Sequence, residues 1–380
     1  MIARWESVVG FPIVGRLLRR HRAWMIWAWL IFIGFVLAML ALDLGVFHRK
    51  SHTVGFKESL GWSAVWITLG LAFSVAVYFA YEHHWCGLGM APDAVDGLIN
   101  NGKLAATKYL TGYVVEKSLS VDNIFVIAMV FGSLAVPAQY QHRVLFWGIL
   151  GALVLRGAMI GIGAALVQNF HWVLYVFGAF LIFTAIKMLV MEDKEEHPEN
   201  NPVVRWLKRF FPVTRDYHGQ HFFVKAGGEW AHEAPVPGAE IVRDPVVESA
   251  VPGKWLLTPL AVALVLVEVT DLIFAVDSIP AIFAITADPF LVFTSNVFAI
   301  LGLRSLYFAL AGMIAKFRYL KPALSLVLLL VGVKMLAAKW LKVWLGDSFN
   351  LTVLGVILAI LATGVVTSLI VGKQDEEDAG

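Results

Sequence analysis

The sequence predicts an all-α polytopic membrane protein, with about nine transmembrane helices containing two inverted three-helix repeats. Three observations predict it. Of the 380 residues, 59% are hydrophobic and only 15% are charged, whereas an ordinary soluble domain carries about a quarter charged residues. Nine segments reach the length of about 20 apolar residues that a spanning helix needs. Polar markers recur in the same order in two blocks of the chain, a self-similarity that has to be read before any single motif.

Taken in order, the chain opens on an Arg-rich extension, residues 1–23, which holds five Arg. It has no small-residue cleavage site after its first apolar run, so the first hydrophobic segment is expected to stay in the mature protein. Residues 24–191 hold the first five spans: Trp24–Phe47, Trp62–Tyr81, Ala106–Ala135, Val144–Gln168 and Trp172–Met191. Residues 192–255 are hydrophilic, rich in Pro, Gly and mixed charge, and read as a cytoplasmic loop or a small appended module. Residues 256–372 hold four more spans: Leu256–Thr286, Phe290–Ile314, Pro322–Val343 and Leu351–Gly372. Residues 373–380, with Asp375-Glu376-Glu377-Asp378, read as a solvated acidic tail.

Net charge is +2, which argues against nucleic acid as a partner, because such proteins present a basic, clustered face. Fourteen Trp and nine Tyr suit interfacial belts on a lipid bilayer. The single cysteine, Cys86, excludes an intrachain disulfide framework and a multi-cysteine metal site. Lys and Arg of the short loops (Arg49, Lys50, Lys57, Arg143, Lys316, Arg318, Lys321, Lys373) fall on one side, and loops near Asn169 and Asp288 carry none. The positive-inside rule then places the 192–255 segment and the C-terminus in the cytoplasm. Arg16, Arg19, Arg20 and Arg22 conflict with that vote, since nine spans put the N-terminus outside.

The first repeat block carries Glu116-Lys-Ser-Leu-Ser-Val-Asp122-Asn123, then Leu155-Arg156, then Lys187-Met188-Leu189. The second carries Asp271-Leu-Ile-Phe-Ala-Val-Asp277-Ser278, then Leu303-Arg304, then Lys334-Met335-Leu336. The acids stand six apart in both blocks, and the Arg-to-Lys spacing is 31 in one and 30 in the other. Each block holds three spans, so the second enters the membrane from the opposite side. Inverted repeats of this kind place a substrate site near the midplane, where the two repeats meet.

An ionised carboxylate at the bilayer centre costs about 2.5–3.5 kcal/mol on insertion scales, so intramembrane acids face a cavity and mark an ion path. Five occur here, Glu116, Asp122, Glu268, Asp271 and Asp277, with Asn123 and Ser278 as neutral oxygen neighbours. A six-residue step turns roughly 240° about a helix, so Asp271 and Asp277 face different sides. Either the helix breaks, which Pro280 would favour by freeing the Val276 carbonyl, or the acids form successive stations. Hard oxygen donors suit magnesium, calcium or manganese over thiolate- and imidazole-seeking metals. The competing reading is mutual pairing of the acids with Lys117, Arg156, Lys187, Arg304 or Lys334, or filling of the site by those bases when no ion is present. Asp43 is either a further acid of the path or an interfacial residue. His83-His84-Trp85-Cys86 reads as an interfacial loop, and the Val-Asp pairs lack the surroundings of an intramembrane aspartyl protease. No enzyme chemistry is expected.

The segments Glu116-Lys-Ser-Leu-Ser-Val-Asp-Asn-Ile-Phe-Val126 and Glu268-Val-Thr-Asp-Leu-Ile-Phe-Ala-Val-Asp-Ser-Ile-Pro-Ala-Ile-Phe283 resemble the two signature segments of the TerC family of integral membrane proteins, and Leu42-Asp-Leu-Gly-Val-Phe-His-Arg-Lys50 resembles the end of its first helix. The resemblance covers the first to the ninth span. The Arg-rich extension and the length of the 192–255 segment depart from it. It implies a multi-pass protein of the bacterial inner membrane, related to LysE-type transporters, that exports manganese(II) and is associated with tellurium resistance. It also implies that Glu116, Asp122, Glu268, Asp271 and Asp277 line the metal path, with Asn123 and Ser278 beside them. Manganese would be the transported ion, with no permanently bound cofactor, and proton antiport is the expected coupling. The alternative is an assembly or metalation factor for exported or membrane proteins, using residues 192–255 to dock protein partners.

Overall fold

The computed structural model describes residues 12–45, 56–170, 172–190, 202–234, 236, 243–310, 320–345 and 349–378. Its helices are α1 (Pro12–Gly45), α2 (Phe56–Glu82), α3 (Gly102–Ser133), α4 (Ala138–Asn169), α5 (Val173–Val190), α6 (Pro202–Phe210), α7 (Pro245–Ser249), α8 (Pro259–Phe283), α9 (Pro289–Ile300), α10 (Leu303–Leu310), α11 (Leu320–Leu345) and α12 (Phe349–Asp378). A short ribbon of β1 (Phe223–Lys225) and β2 (Trp255–Leu257) completes the elements. Seven stretches among the described residues are long and apolar enough to cross a membrane, in α1, α2, α4, α5, α8, the α9–α10 pair and α12. Helices satisfy every backbone group internally, as lipid demands, and the chain is an all-α polytopic membrane protein. α3 falls outside that set because Lys103, Lys108, Glu116, Lys117 and Asp122 interrupt its apolar surface; α2, α8 and α9 pack around it instead of lipid. α11 has a shorter apolar stretch, Pro322–Ala337, and runs along α5.

Local chemistry sets the helix ends. Asn101 caps α3 by accepting the Leu104 N–H at 2.9 Å, and Thr258-Pro259 and Asp288-Pro289 open α8 and α9 with a side-chain cap followed by proline in the first turn. α12 continues to Asp378, through the acidic residues that the composition sets apart as a tail. Pro280 does not break α8, which runs unbroken to Phe283, though without an N–H it still gives the Val276 carbonyl no helix donor. The break falls in the segment expected as one helix, Phe290–Ile314. Gly302, at φ +83°, separates α9 from α10, and a Cβ there would lie 2.5 Å from Trp66 Cβ, so both the backbone angle and the close approach of α2 require glycine.

Contacts along the helices fix their relative directions. α3 and α8 run antiparallel: Gly112 meets Ile282 near one end, and Asn123 reaches Asp271 further along. α3 runs parallel to α9, with Gly112 against Ser295 and the Lys117 ammonium on the Ala299 carbonyl. α4 runs parallel to α8, with Gly148 against Val267, Gly151 against Glu268 and Gly163 against Phe283. α1 runs parallel to α9, with Trp29 stacked edgewise on Phe290 and Phe35 on Phe298. Glycines let these backbones approach closely, the usual means of helix association in lipid.

At one end of the bundle, the described residues of the 202–258 stretch build a small module. β1 and β2 pair antiparallel, with Phe223 opposite Leu257, over a core of Val224, Ala226, Ala231, Val247 and Leu256. The buried Asp244 carboxylate accepts the N–H groups of Arg215, Asp216 and Val246 at 2.5–3.0 Å. The module is fastened to the α3–α4 turn, where the Tyr217 hydroxyl donates to the Leu134 carbonyl at 2.7 Å and Arg143 donates to Gln220 at 2.8 Å. The start of α1 and the 83–101 segment lie at the opposite end, judged by the directions of α9 and α3.

The α5–α11 crossing generates a prediction. A Cβ on Gly332 would stand 2.9 Å from Ile182 Cγ1 and 3.0 Å from the Gly178 carbonyl, closer than side chains tolerate. Gly332→Val is expected to destabilise the detergent-solubilised protein by about 1–3 kcal/mol, seen as a lower midpoint of unfolding, while Gly161→Val, where a Cβ meets nothing within 4 Å, leaves it near the parent value.

Candidate functional site

Within the α3–α8 contact lies a buried cavity lined by Glu116, Asp122, Asn123, Asp277 and Ser278, together with Arg156 and the apolar Leu119, Met188, Phe274 and Leu328. It encloses about 40 Å³ of space open to a water molecule. One water needs about 10–15 Å³ on this measure, so the cavity can take a largely dehydrated ion with a water or two. Three carboxylates and two neutral oxygens thus reach one space from two helices belonging to different blocks of the sequence.

Arg156, on α4 and 2% exposed, organises these groups. Its Nε and Nη2 fork onto the two oxygens of Asp271 at 3.0 and 2.8 Å. Its Nη1 donates to Glu116 and to the Asn296 side-chain Oδ1 at 3.1 Å, and lies 3.4 Å from the Ser278 hydroxyl. Asn123 adds a 3.3 Å bond to Asp271 from the other side. A planar guanidinium holds two carboxylates in this way because its donors are fixed in a fork that matches carboxylate geometry. The carboxylates therefore converge on a cation that the protein itself carries. No three His, Cys, Asp or Glu side chains are grouped closely enough to hold a metal ion among the described residues.

Two acceptors aimed at this region have no hydrogen-bond partner among the described residues, Glu116 Oε2 and Asn123 Oδ1. Buried oxygens without partners are costly in a low-dielectric interior, and hard oxygen of this kind is the donor type that manganese, magnesium and calcium share. Asp277 accepts from the Thr184 hydroxyl of α5 at 3.2 Å, which turns its carboxylate toward the cavity's α5 side.

The other residues singled out by the sequence take separate positions. Asp271 stands behind Arg156 and does not line the cavity. Glu268 lies one turn earlier on α8, packed on Gly151 of α4. Because α8 is continuous, the acids form successive positions along it instead of one cluster. Lys187 is exposed on α5, three residues from Thr184 and within electrostatic reach of Asp277. Arg304 is buried at the start of α10, past the Gly302 break, and Lys334 is buried on α11 within electrostatic reach of Lys108, Asp96 and Asp93; neither lines the cavity. Lys117 points away from Glu116 and donates to the Ala299 and Leu301 carbonyls at 3.1 and 3.5 Å, satisfying groups that the end of α9 leaves without helix partners. Asp43 falls within α1, and its side chain lies outside the described residues. Asn296 and Thr184 were not foreseen. Asn296 stood in the run Thr294-Ser295-Asn296 inside an apolar span, a signal that could have found it; Thr184 carried none.

Fold and site together define a helical membrane protein with a cavity in which carboxylates and a buried arginine meet apolar side chains. The chain belongs to the TerC family: the model described as integral membrane protein TerC family matches residues 101–376. An uncharacterized membrane protein of Myxococcus xanthus is 48% identical over 346 residues, covering 91% of this chain and 93% of its own. Proteins described as a candidate membrane-bound redox modulator, Alx, are 40% identical in Photorhabdus laumondii, over 91% of this chain and 95% of theirs, and 40% identical in Escherichia coli K12, over 92% and 96%. No solved structure matches the chain.

Removing Arg156 would strand Glu116 and Asp271 in the interior, and breaking a buried pair in this way costs about 3–5 kcal/mol. Arg156→Met is expected to lower the unfolding free energy in detergent by about that amount, and adding Glu116→Gln and Asp271→Asn to the same chain is expected to recover most of the loss. Equal stability of parent and Arg156→Met would show that the pairing contributes nothing.

Proposed function

We propose that the chain is a secondary transporter that exports divalent metal cations, manganese(II) foremost, across the bacterial inner membrane. The observation that carries this reading is the meeting of Glu116, Asp122 and Asp277 with Asn123 and Ser278 in one buried cavity between α3 and α8. A protein retains intramembrane carboxylates at such cost when they serve an ion path, and two or three of them balance a divalent charge better than a monovalent one. Manganese, as against magnesium or calcium, rests on the family likeness.

The helix directions support alternating access of two inverted repeats. α3 pairs in parallel with the second helix of the other block, α9, just as α4 pairs in parallel with α8, while α3 and α8 face each other antiparallel. Pairings of this kind are those expected of two repeats related by a two-fold axis in the membrane plane. In this reading Arg156 is the resident counter-charge of the unloaded site. An arriving cation competes with the guanidinium for Glu116, and departure of the ion returns it. The same carboxylates take up protons when metal leaves, so proton antiport is the natural coupling, and metal affinity falls as the medium becomes more acid. The 202–258 module and the C-terminus lie on the cytoplasmic side by the positive-inside rule.

The test is manganese retention in manganese-loaded cells that lack their own exporters, comparing parent chain, Asp122→Asn and Asp277→Asn at matched membrane levels. The parent is expected to lower cell manganese, and each variant to lose at least about tenfold of that efflux, since even residues that only support metal ligands change affinity by about 10–100-fold. Export by both variants at the parent rate would overturn the acid-lined path. If instead deletion of the module abolishes a cellular phenotype that Asp122→Asn leaves intact, an assembly or metalation role replaces transport.

A further inference from the structure

A second buried polar network lies on the side of the cavity away from the module. Lys108 of α3 is 1% exposed, and its ammonium donates to Asp93 Oδ2 at 2.8 Å and to Asn100 Oδ1 at 2.7 Å, and pairs with Asp96 Oδ2 at 2.9 Å. Asp93, in the segment between α2 and α3, also accepts from the Thr286 hydroxyl and from the N–H groups of Ala287 and Val95, both within 3.0 Å. Lys108 is therefore the link from α3 to the 93–100 segment, and Asp93 is the link from that segment to the end of α8. Next to this junction Tyr81 of α2 donates to Asp288, the cap of α9, at 2.8 Å. Lys334 of α11 is buried within electrostatic reach of Asp93, Asp96 and Lys108.

The network lies beyond the cavity in one direction along three helices, separated from it by a buried apolar layer of Val115, Ala281, Ala284, Ile285 and Val331. Lys108 precedes Glu116 by eight residues on α3, Thr286 follows Ser278 by eight at the end of α8, and Lys334 follows Leu328 by six on α11. At about 1.5 Å per residue these steps span roughly 9–12 Å, and all three lead to the end opposite the module. A cation leaving the cavity in this direction has to cross that apolar layer and then meets two ammonium groups. It also meets two carboxylates, Asp93 and Asp96, that are now held by one of those ammoniums. A plain staple between helices would be served by apolar packing, which is often as stable as a buried ion pair; a reversible ion pair differs in that its carboxylates can change partner.

We propose that the Asp93–Lys108 junction is the closed outer gate of the ion path, and that opening exchanges Lys108 for the departing cation on Asp93 and Asp96. The proposal rests on the transport reading for its direction of flow. The geometry of closure does not depend on which ion moves.

The experiment is therefore one of access. In a Cys86→Ser chain, Leu119→Cys places a thiol on the cavity wall, and a membrane-impermeant, charged methanethiosulfonate reagent is applied to intact cells from outside. With Lys108 present the thiol is expected to react slowly. Lys108→Met is expected to raise the outside labelling rate at least tenfold, and Lys108→Arg, which keeps the cation, to leave it near the parent rate. Asp93→Asn serves as a second opening variant should Lys108→Met fail to fold, as judged by its membrane level and unfolding midpoint. If correctly folded opening variants label no faster from outside than the parent, the gate is overturned. Labelling requires no transport, so a faster rate in Lys108→Met alongside unimpaired export by Asp122→Asn would sustain the gate while removing the acid-lined site.

Discussion

Charge buried away from water has to be compensated where it stands, and in this bundle the compensation is concentrated on one guanidinium. Arg156 holds Asp271 by two bonds and Glu116 by a third, with Asn296 as a further acceptor. Those four residues come from α4, α8, α3 and α9. Burying the four helices together therefore depends on this fork, since an uncompensated carboxylate in a low-dielectric interior is disfavoured by several kcal/mol. Beside it lies the cavity, where Glu116 Oε2 and Asn123 Oδ1 are left without a hydrogen-bond partner among the described residues.

The polar centre in turn dictates how the helices can be placed. α3 carries too many charges to face lipid and is enclosed by α2, α8 and α9, so helices of both sequence blocks must come close to it. Glycines allow the close approaches: Gly112 of α3 admits Ser295 of α9, while on α4 Gly148 admits Val267 of α8 and Gly151 leaves the room that Glu268 of α8 occupies. Without a hydrophobic force between helices in lipid, close packing and internal hydrogen bonds hold the arrangement. The break at Gly302 follows the same logic, since the carbonyls it releases on α9 are taken by Lys117. A lysine that stands next to Glu116 in sequence thus serves a different helix.

At both ends of the bundle a carboxylate organises the backbone where helices give way to loops. Asp244 gathers three N–H groups inside the module, and Asp93 joins the α2–α3 segment to the end of α8. Burial works to raise the Asp93 pKa, yet Lys108, Thr286 and the Val95 N–H outweigh it and hold the carboxyl below its ordinary value. It therefore stays ionised in its buried position. The central fork and these two end clusters divide the bundle's polar chemistry into three levels along the helices.

The membrane class, the spans and the acids of α3 and α8 were legible in the sequence, because apolar length and the cost of a charge in lipid act on each segment separately. The repeat markers likewise pointed to α3 and α8 as the helices to watch, and these do meet at the cavity. What each charge touches was decided only by tertiary structure. Lys117, the next residue in sequence, was the nearer candidate to neutralise Glu116, and only the tertiary arrangement hands Glu116 to Arg156 of α4 while the break after α9 draws Lys117 away. Pro280 looked like the place for a break and Gly302 did not, because a proline's lost donor can be tolerated inside a helix, whereas a backbone pressed against Trp66 leaves no room for a side chain. Asn296, Thr184 and Asp93 gain their roles only from partners far away in sequence. Such pairings depend on helix direction and rotation, and the periodicity of a single segment does not contain them.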